Sequence, residues 1–195
     1  MEQCKYEKEN YTAPYPHPYY WRDHTSIKIM EYYDRYITGS VLDVGCGTGK
    51  ATYWLSLFDI SKVTGIDINP KALEFAEKNF RHFEFPYKFH CMNFVDSKLD
   101  KQFDTIVSFH VLEHIYEEDR DQFLSNIFEM LNAGGFFIIS IPYEKNYEDP
   151  CHVCYYNETN LVSLLERIGF ETIECFKDDR FREKNMLTGL FRKKY

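Results

Sequence analysis

The sequence lacks any uninterrupted apolar run close to the roughly 18 residues that a membrane-spanning helix needs. Its first ten residues are polar and mixed in charge, unlike a secretory signal peptide. Basic residues are also scarce: 23 Lys and Arg stand against 31 Asp and Glu, which leaves a net charge of −8. Because nucleic-acid binders rely on neutralising phosphates, this balance disfavours such a partner. We therefore expect a soluble, cytoplasmic protein without a membrane or nucleic-acid partner.

Clustered cysteines are also missing. The six cysteines are scattered, and only Cys151 and Cys154 lie close together, which favours reduced thiols in a cytoplasmic protein. Apolar residues make up 44% of the chain and aromatic residues 18%, so the sequence is not that of a disordered protein. A length of 195 residues suits one domain with a full hydrophobic core, with room for a small attachment.

Strand-like and helix-like segments alternate along most of the chain. Short apolar runs predict strands at residues 41–44, 63–67, 87–92, 104–109, 136–141 and 171–176, with a final edge strand at 186–191. Helices are expected between them, for example after the Asn69-Pro70 start signal and before a Gly134-Gly135 stop. Apolar strands separated by amphipathic helices are typical of a parallel sheet covered on both faces. The pattern predicts a doubly wound α/β fold.

An aromatic segment and a helix precede this alternating region. Prolines at 14, 16 and 18 exclude a helix there, and apolar residues at 27, 30, 33 and 37 predict a helix that ends near Gly39. We divide the chain into an N-terminal extension, 1–37, and a main domain, 38–195. Within the extension, Tyr19, Tyr20 and Trp21 either cover an exposed face of the fold or form a lid that contacts the substrate.

A glycine loop follows the first strand, with Gly45, Gly47 and Gly49 in series. Glycines let the backbone approach a ligand where a Cβ would collide, although such loops also serve as plain turns. Two carboxylates favour a ligand site. Asp43 lies inside an apolar strand, where an unpaired charge is costly, and Asp67 ends the second strand, where a carboxylate can accept both ribose hydroxyls. A third glycine in the dinucleotide spacing G-x-G-x-x-G is missing, which disfavours a nicotinamide oxidoreductase.

Residues 41–49 (VLDVGCGTG) resemble the first motif of class I S-adenosylmethionine (SAM)-dependent methyltransferases. Residues 65–68 (GIDI) resemble the ribose-binding strand end of that family, and residues 103–115 (FDTIVSFHVLEHI) resemble its fourth-strand block in the ubiquinone-type O-methyltransferase branch. Segments 131–135 and 164–170 also fit, so the resemblance extends over about residues 38–176. It implies a Rossmann-like methyltransferase fold, with a mostly parallel seven-stranded sheet whose last strand is antiparallel.

The resemblance also implies a cofactor, SAM, and its product, S-adenosylhomocysteine (SAH). Gly45, Gly47 and Gly49 would line the methionine moiety, with Asp43 behind the loop and Asp67 at the ribose.

On the adenine side, Ile68 would lie against the ring. Asn93, followed by Phe94, stands where the family often has an acidic residue for the adenine amino group. His110 would be the first residue beyond the fourth strand and would face the methyl group or the SAM carboxylate.

The compact chain favours a small-molecule methyl acceptor, and we favour a hydroxyl oxygen. An oxygen nucleophile must lose its proton, and histidine is the natural base, so His110, His114 and His152 are the catalytic candidates. An amine acceptor needs no strong base, which keeps an N-methyltransferase open. A catalytically inactive SAM-binding partner subunit also stays open, and we expect a monomer or a homodimer.

Two zinc patterns compete with this interpretation. Residues 110–114 (HVLEH) match the H-x-x-E-H pattern of zinc peptidases, but they follow a strand directly and the sequence offers no evident third ligand. Residues 82–84 and 150–154 together match the H-x-E…P-C-x-x-C pattern of zinc deaminases, although the two parts lie far apart. We keep a zinc-dependent deaminase as a remote alternative and expect no bound metal.

Overall fold

The computed structural model of the chain describes residues 25–143, 152–178 and 186–194. The strands are β1 Gly39–Val44, β2 Ile60–Asp67, β3 Tyr87–Cys91, β4 Phe103–Phe109, β5 Leu131–Pro142, β6 Phe170–Asp178 and β7 Met186–Lys193. The α-helices are α1 Thr25–Tyr32, α2 Lys50–Leu55, α3 Pro70–Phe80, α4 Glu117–Met130 and α5 Glu158–Ile168, and short 3-10 turns lie at Asp34–Tyr36 and Leu112–His114. Among the described helices, none has both the length and the apolar character that crossing a bilayer requires.

The seven strands form one sheet in the order β3-β2-β1-β4-β5-β7-β6. All pairs among β1 to β5 are parallel, whereas β7 runs antiparallel to both β5 and β6. The strand order reverses between β1 and β4, and doubly wound sheets bind their ligands beyond the carboxyl ends of the strands at this point. The doubly wound fold, the seven strands and the antiparallel last strand are confirmed.

Successive strand residues point to opposite faces of the sheet and enter two separate hydrophobic clusters. On β5, Phe137 and Ile139 pack with α4 and α5, whereas Ile138 between them packs with α1 and α2. On β4, Ile106 packs in the cluster with α4 and α5, whereas the next residue, Val107, packs in the cluster with α1 and α2. Because both faces are covered by helices, the central strands are apolar throughout, which explains their continuous hydrophobic runs.

Side chains cap the starts of two helices, and the sequence predicts the cap at Asn69. The Asn69 side chain accepts hydrogen bonds from the backbone N–H groups of Lys71 and Ala72, and Pro70 occupies the first turn of α3. At α5, Asn157 and Asn160 form a reciprocal capping box. Both caps satisfy backbone donors that a helix start otherwise leaves without partners.

The predicted stop at Gly134-Gly135 is wrong. Helix α4 ends at Met130, and β5 begins at the next residue, so both glycines lie inside the strand. The register shifts here because Leu131 pairs with Phe103 and Phe136 pairs with Thr105. The residues between these two pairs bulge outward, and the positive φ of Gly134 (76°) suits such a bulge.

The predicted position of the last strand is also wrong. β7 is not an edge strand, because it lies between β5 and β6, and β6 forms the edge of the sheet. The burial pattern agrees with this order: residues 186–191 are all buried, whereas β6 is mostly half-buried. An antiparallel strand inserted beside β5 cannot be distinguished from an edge strand by composition alone.

Helix α1 belongs to the main core. Ile29 and Met30 are fully buried, Tyr33 is almost so, and they share a hydrophobic cluster with Val41 of β1. The division of the chain at residue 37 stays a prediction, and the structure adds that α1 packs against β1. The proposed substrate contacts Tyr19, Tyr20 and Trp21 lie outside the described residues, and their role as a lid stays a prediction.

Candidate functional site

The glycine loop joins the carboxyl end of β1 to α2. Gly45, Gly47 and Gly49 have φ angles of 75°, 52° and 79°, which residues with a side chain rarely adopt. A Cβ on Gly45 would lie 2.2 Å from Cγ2 of Val111, so the loop packs directly against the turn that follows β4. A Cβ on Gly47 would meet no described atom within 4 Å. The loop is thus tightly packed at its start and open at its middle, where a ligand can approach the backbone.

The side chain of Asp67, at the end of β2, is held against this loop by hydrogen bonds from backbone N–H groups. One carboxylate oxygen accepts a hydrogen bond from the N–H of Gly47 at 2.7 Å, and the other accepts from the N–H of Asn69 at 2.8 Å. Burial raises the pKa of Asp67, and these N–H groups oppose that rise. A carboxylate has about four acceptor positions, so Asp67 can accept further hydrogen bonds from donors such as ribose hydroxyls.

Asp43 lies beneath the loop and is only 1% exposed. The hydroxyl of Thr52, on α2, donates a hydrogen bond of 2.6 Å to its carboxylate. Burial raises the pKa of Asp43 to about 7, the bond from Thr52 opposes the rise, and the charge of Asp67 adds to it. Ionisation of Asp43 is therefore sensitive to any charge that binds at the loop. Thr52 could not be predicted as the partner of Asp43, because the bond joins α2 to β1 across the glycine loop.

The ends of β2 and β3 lie side by side. The N–H of Met92 donates to the main-chain oxygen of Asp67 at 3.0 Å, which brings the segment after β3 next to the carboxylate. Ile68 is 37% exposed and available for contact with a flat ligand.

Asn93 and Phe94, in the turn after β3, have different surroundings: Asn93 lies at the surface and Phe94 in the core. The side chain of Asn93 accepts from the N–H of Val95 at 3.1 Å and donates to Asp96 at 2.6 Å, so it stabilises the turn at the surface. Phe94 is buried, with its ring 5.6 Å from that of Phe123 in the hydrophobic core. Phe94 therefore supports this region from below, whereas we expected it to contact the cofactor.

His110 is the first residue beyond β4, as the sequence predicts, and its backbone is unusual. Its φ of 57° is the only positive value at a non-glycine position among the described residues. Its N–H donates to the main-chain oxygen of Ser140 at 2.8 Å, which fixes the turn. The side chain is about one-third exposed, and Nδ1 lies 3.6 Å from Oε1 of Glu113. Such strained conformations at strand ends are often found at functional sites.

Glu113, His114 and His152 form a cluster next to this turn. Glu113 is 2% exposed, and the side-chain ligand atoms of the three residues lie within 4.8 Å of one another. The imidazole centroids of His114 and His152 are 5.0 Å apart. The N–H groups of Val153 and Cys154 donate to the main-chain oxygen of Glu113, which ties the segment after β5 to the turn after β4. The three histidine candidates therefore gather around one buried carboxylate.

The zinc patterns do not assemble as those families require. The H-x-x-E-H residues do not share a helix, because Leu112–His114 is a single 3-10 turn and His110 precedes it with a left-handed backbone. Of the deaminase pattern, His82 follows α3 at the amino edge of the sheet, whereas Cys154 lies beside Glu113 at the carboxyl edge. Pro150 and Cys151 lie outside the described residues. The described residues thus bring together no site of either kind.

Comparison with known proteins agrees with the fold and the loop. Residues 42–139 match the model of the methyltransferase domain family. The chain belongs to the class I SAM-dependent methyltransferases, whose cofactor is SAM. A probable SAM-dependent methyltransferase of Mycolicibacterium smegmatis is 27% identical over 161 residues, which cover 78% of this chain and 60% of that protein. The chain thus spans less than two thirds of the length of this relative.

Two solved structures share the fold over nearly their whole length. A SAM-dependent methyltransferase from Clostridium acetobutylicum ATCC 824 has a TM-score of 0.73 at 16% identity, covering 91% of this chain and 97% of that one. The N-methyltransferase NodS from Bradyrhizobium japonicum WM9 has a TM-score of 0.73 at 18% identity, with the same coverage. At these identities the two structures show a common fold.

Proposed function

We propose that the chain transfers the methyl group of SAM to a small-molecule acceptor, with a hydroxyl oxygen as the favoured target. The observation that carries this proposal is the contact between the glycine loop and the turn after β4, where Gly45 meets Val111, the residue after His110. Because Val111 directly follows His110 in the chain, this contact supports a base beside the loop that we assign to the methyl donor. A donor held beside a base is what methyl transfer to an oxygen requires.

The residues at the loop fit SAM. The open space at Gly47 accommodates a ligand that lies against the backbone, and Asp67 retains acceptor positions for the two ribose hydroxyls. Ile68 is exposed for contact with adenine, and Asn93 lies in the adjoining turn. When bound, SAM supplies a reactive methyl group on a positively charged sulfur.

Asp43 contributes charge rather than contact in this proposal, because it is buried behind the loop. A positively charged ligand at the loop favours the ionised form of Asp43, and the interaction is reciprocal. SAH carries no charge on its sulfur. We therefore expect the substitution Asp43→Asn to weaken the binding of SAM more than that of SAH.

His110 is the candidate that we favour as the base. It lies at the carboxyl end of β4, it is partly exposed, and its Nδ1 lies 3.6 Å from the carboxylate of Glu113. His110 would take the proton of the acceptor hydroxyl as the oxygen attacks the methyl carbon. The positive charge of the donor disappears during the reaction, so exclusion of water by the bound acceptor would favour this step.

The proposal is tested by measuring SAH release with panels of hydroxylated and amine-bearing small molecules. The variant His110→Ala should lose at least about 100-fold in turnover of the best hydroxyl acceptor while keeping its affinity for SAM. His82→Ala, a histidine far from the loop, is the matched control and should remain fully active. SAM binding without release of SAH from any acceptor would instead favour the inactive partner subunit.

An amine acceptor is the second candidate, and Glu113 favours it, because a buried carboxylate can hold an amino group. The shared fold with NodS, an N-methyltransferase, is consistent with this alternative. The two acceptors differ in their response to His110→Ala. Turnover of an amine should persist in the variant and rise with the deprotonation of the amine itself, whereas turnover of a hydroxyl should collapse.

A further inference from the structure

We propose that Glu113, His114 and His152 bind one divalent transition-metal ion. Their ligand atoms, one carboxylate oxygen and two imidazole nitrogens, lie within 4.8 Å of one another. Ligands about 2.1 Å from a tetrahedral ion lie about 3.4 Å apart, so small side-chain rotations bring this set to coordination distance. The sequence alone offered no third ligand beside the H-x-x-E-H residues. The fold supplies His152 from the segment after β5, so this proposal departs from our expectation of no bound metal.

The carboxylate of Glu113 points to a cation independently of this geometry. Glu113 is 2% exposed, and within the described residues neither of its carboxylate oxygens accepts a hydrogen bond. His110 Nδ1, at 3.6 Å, lies beyond hydrogen-bonding distance. A buried carboxylate in such surroundings is costly unless a cation compensates it. A metal ion held jointly with His114 and His152 provides that compensation.

Backbone contacts hold the three residues in place. The N–H groups of Val153 and Cys154 donate to the main-chain oxygen of Glu113 at 2.9 and 3.2 Å, which positions His152 beside the turn. The N–H of His114 donates to the main-chain oxygen of Val111 at 2.9 Å and closes the turn itself. The ligands therefore come from two segments that are joined without any metal, as in a preorganised site.

The donor set selects the class of ion. Two imidazoles and one carboxylate suit zinc, iron, cobalt or manganese, whereas magnesium and calcium prefer all-oxygen sites. Three protein ligands leave at least one coordination position open, as in catalytic zinc sites. Because Val111 contacts Gly45, the site adjoins the glycine loop, so an oxygen-bearing methyl acceptor is the class of ligand that would complete it. This last role rests on the proposed function, and metal binding itself does not.

The experiment is a titration of the chelator-treated full chain with Co²⁺, followed by visible absorption, and then with Zn²⁺ by calorimetry. We expect one equivalent of each ion to bind. His114→Ala, His152→Ala and Glu113→Gln should each weaken binding by at least about tenfold, and circular dichroism checks that each variant is folded. His82→Ala should bind as the wild type does.

Failure to bind one equivalent of either ion in the wild-type chain would overturn the proposal, whatever the variants do. Binding that survives in His114→Ala and His152→Ala but is lost in Cys154→Ser would also overturn it, since the ion would then lie on the cysteines. A parallel titration with SAM separates the two proposals. Metal binding without SAM binding would contradict the proposed function alone, and SAM binding without metal binding would contradict this inference alone.

Discussion

Replacement of Asp43 by Asn should stabilise the chain at neutral and alkaline pH. Burial raises the pKa of this carboxyl from 3.8 to about 7, so the folded state holds its proton more tightly than the unfolded state does. As the pH rises from about 4 to about 7, the wild type therefore loses stability. Each tenfold change in proton affinity corresponds to about 1.4 kcal/mol, so the full loss is about 4 kcal/mol. Asn removes the charge and keeps an oxygen that can accept the Thr52 hydroxyl.

The assay is urea unfolding of the wild type and of Asp43→Asn between pH 5 and pH 8. The advantage of the variant should grow from about 2 kcal/mol at pH 5 to about 4 kcal/mol at pH 8. Asp67, whose pKa is also raised, is present in both chains, so its contribution cancels to first order. A variant that is no more stable than the wild type at pH 8, or an advantage independent of pH, would show that the charge of buried Asp43 does not destabilise the fold.

Asp104→Asn is a control in which the pKa of the replaced carboxyl is lowered rather than raised, so the expected change in stability has the opposite sign. Hydrogen bonds from Ser40 and Asn132 hold the pKa of Asp104 below its ordinary value, in spite of partial burial. Its ionised form therefore contributes stability above about pH 4, which is lost only as the pH falls through the lowered pKa. Asp104→Asn should destabilise the chain by the same amount at pH 5 and at pH 8.

Four further predictions concern the loop, the core and the surface. Gly45→Ala should lower the free energy of unfolding by about 3 kcal/mol. Alanine disfavours the positive φ at this position, and its Cβ would lie too close to Val111. Gly47→Ala should cost only about 1 kcal/mol and yet weaken SAM binding at least about tenfold by calorimetry, because its Cβ would enter the open space. Leu161→Ala, in the core of α5, should cost about 2–5 kcal/mol in urea unfolding. Arg167→Ala, which breaks an exposed ion pair with Asp121, should leave the urea midpoint of unfolding nearly unchanged.

The sequence predicts the fold well because its signals are local. Apolar runs mark the central strands, Asn69 and Pro70 mark the start of α3, and the glycines at 45, 47 and 49 mark the loop. The errors arise where long-range pairing decides. Gly134 reads as a helix stop, but pairing with β4 extends the strand through it.

In the candidate site too, features that depend on local sequence could be predicted, whereas features that depend on long-range contacts could not. The placement of Asp67 at the loop follows from its position at a strand end, and the structure adds the hydrogen bond from Gly47. The gathering of Glu113, His114 and His152 could not be predicted, because 37 residues separate the two histidines in the chain and backbone hydrogen bonds bring them together. The orientation of Phe94 toward the core was also beyond a local pattern, since either face of the turn could have held an aromatic ring.

The most direct test of the account is a crystal structure of the chain with SAH. The account predicts that the ribose hydroxyls lie within hydrogen-bonding distance of the Asp67 carboxylate and that the amino-acid part of SAH runs along the backbone at Gly47. SAH bound elsewhere on the chain, or a glycine loop that stays empty at saturating SAH, would contradict it.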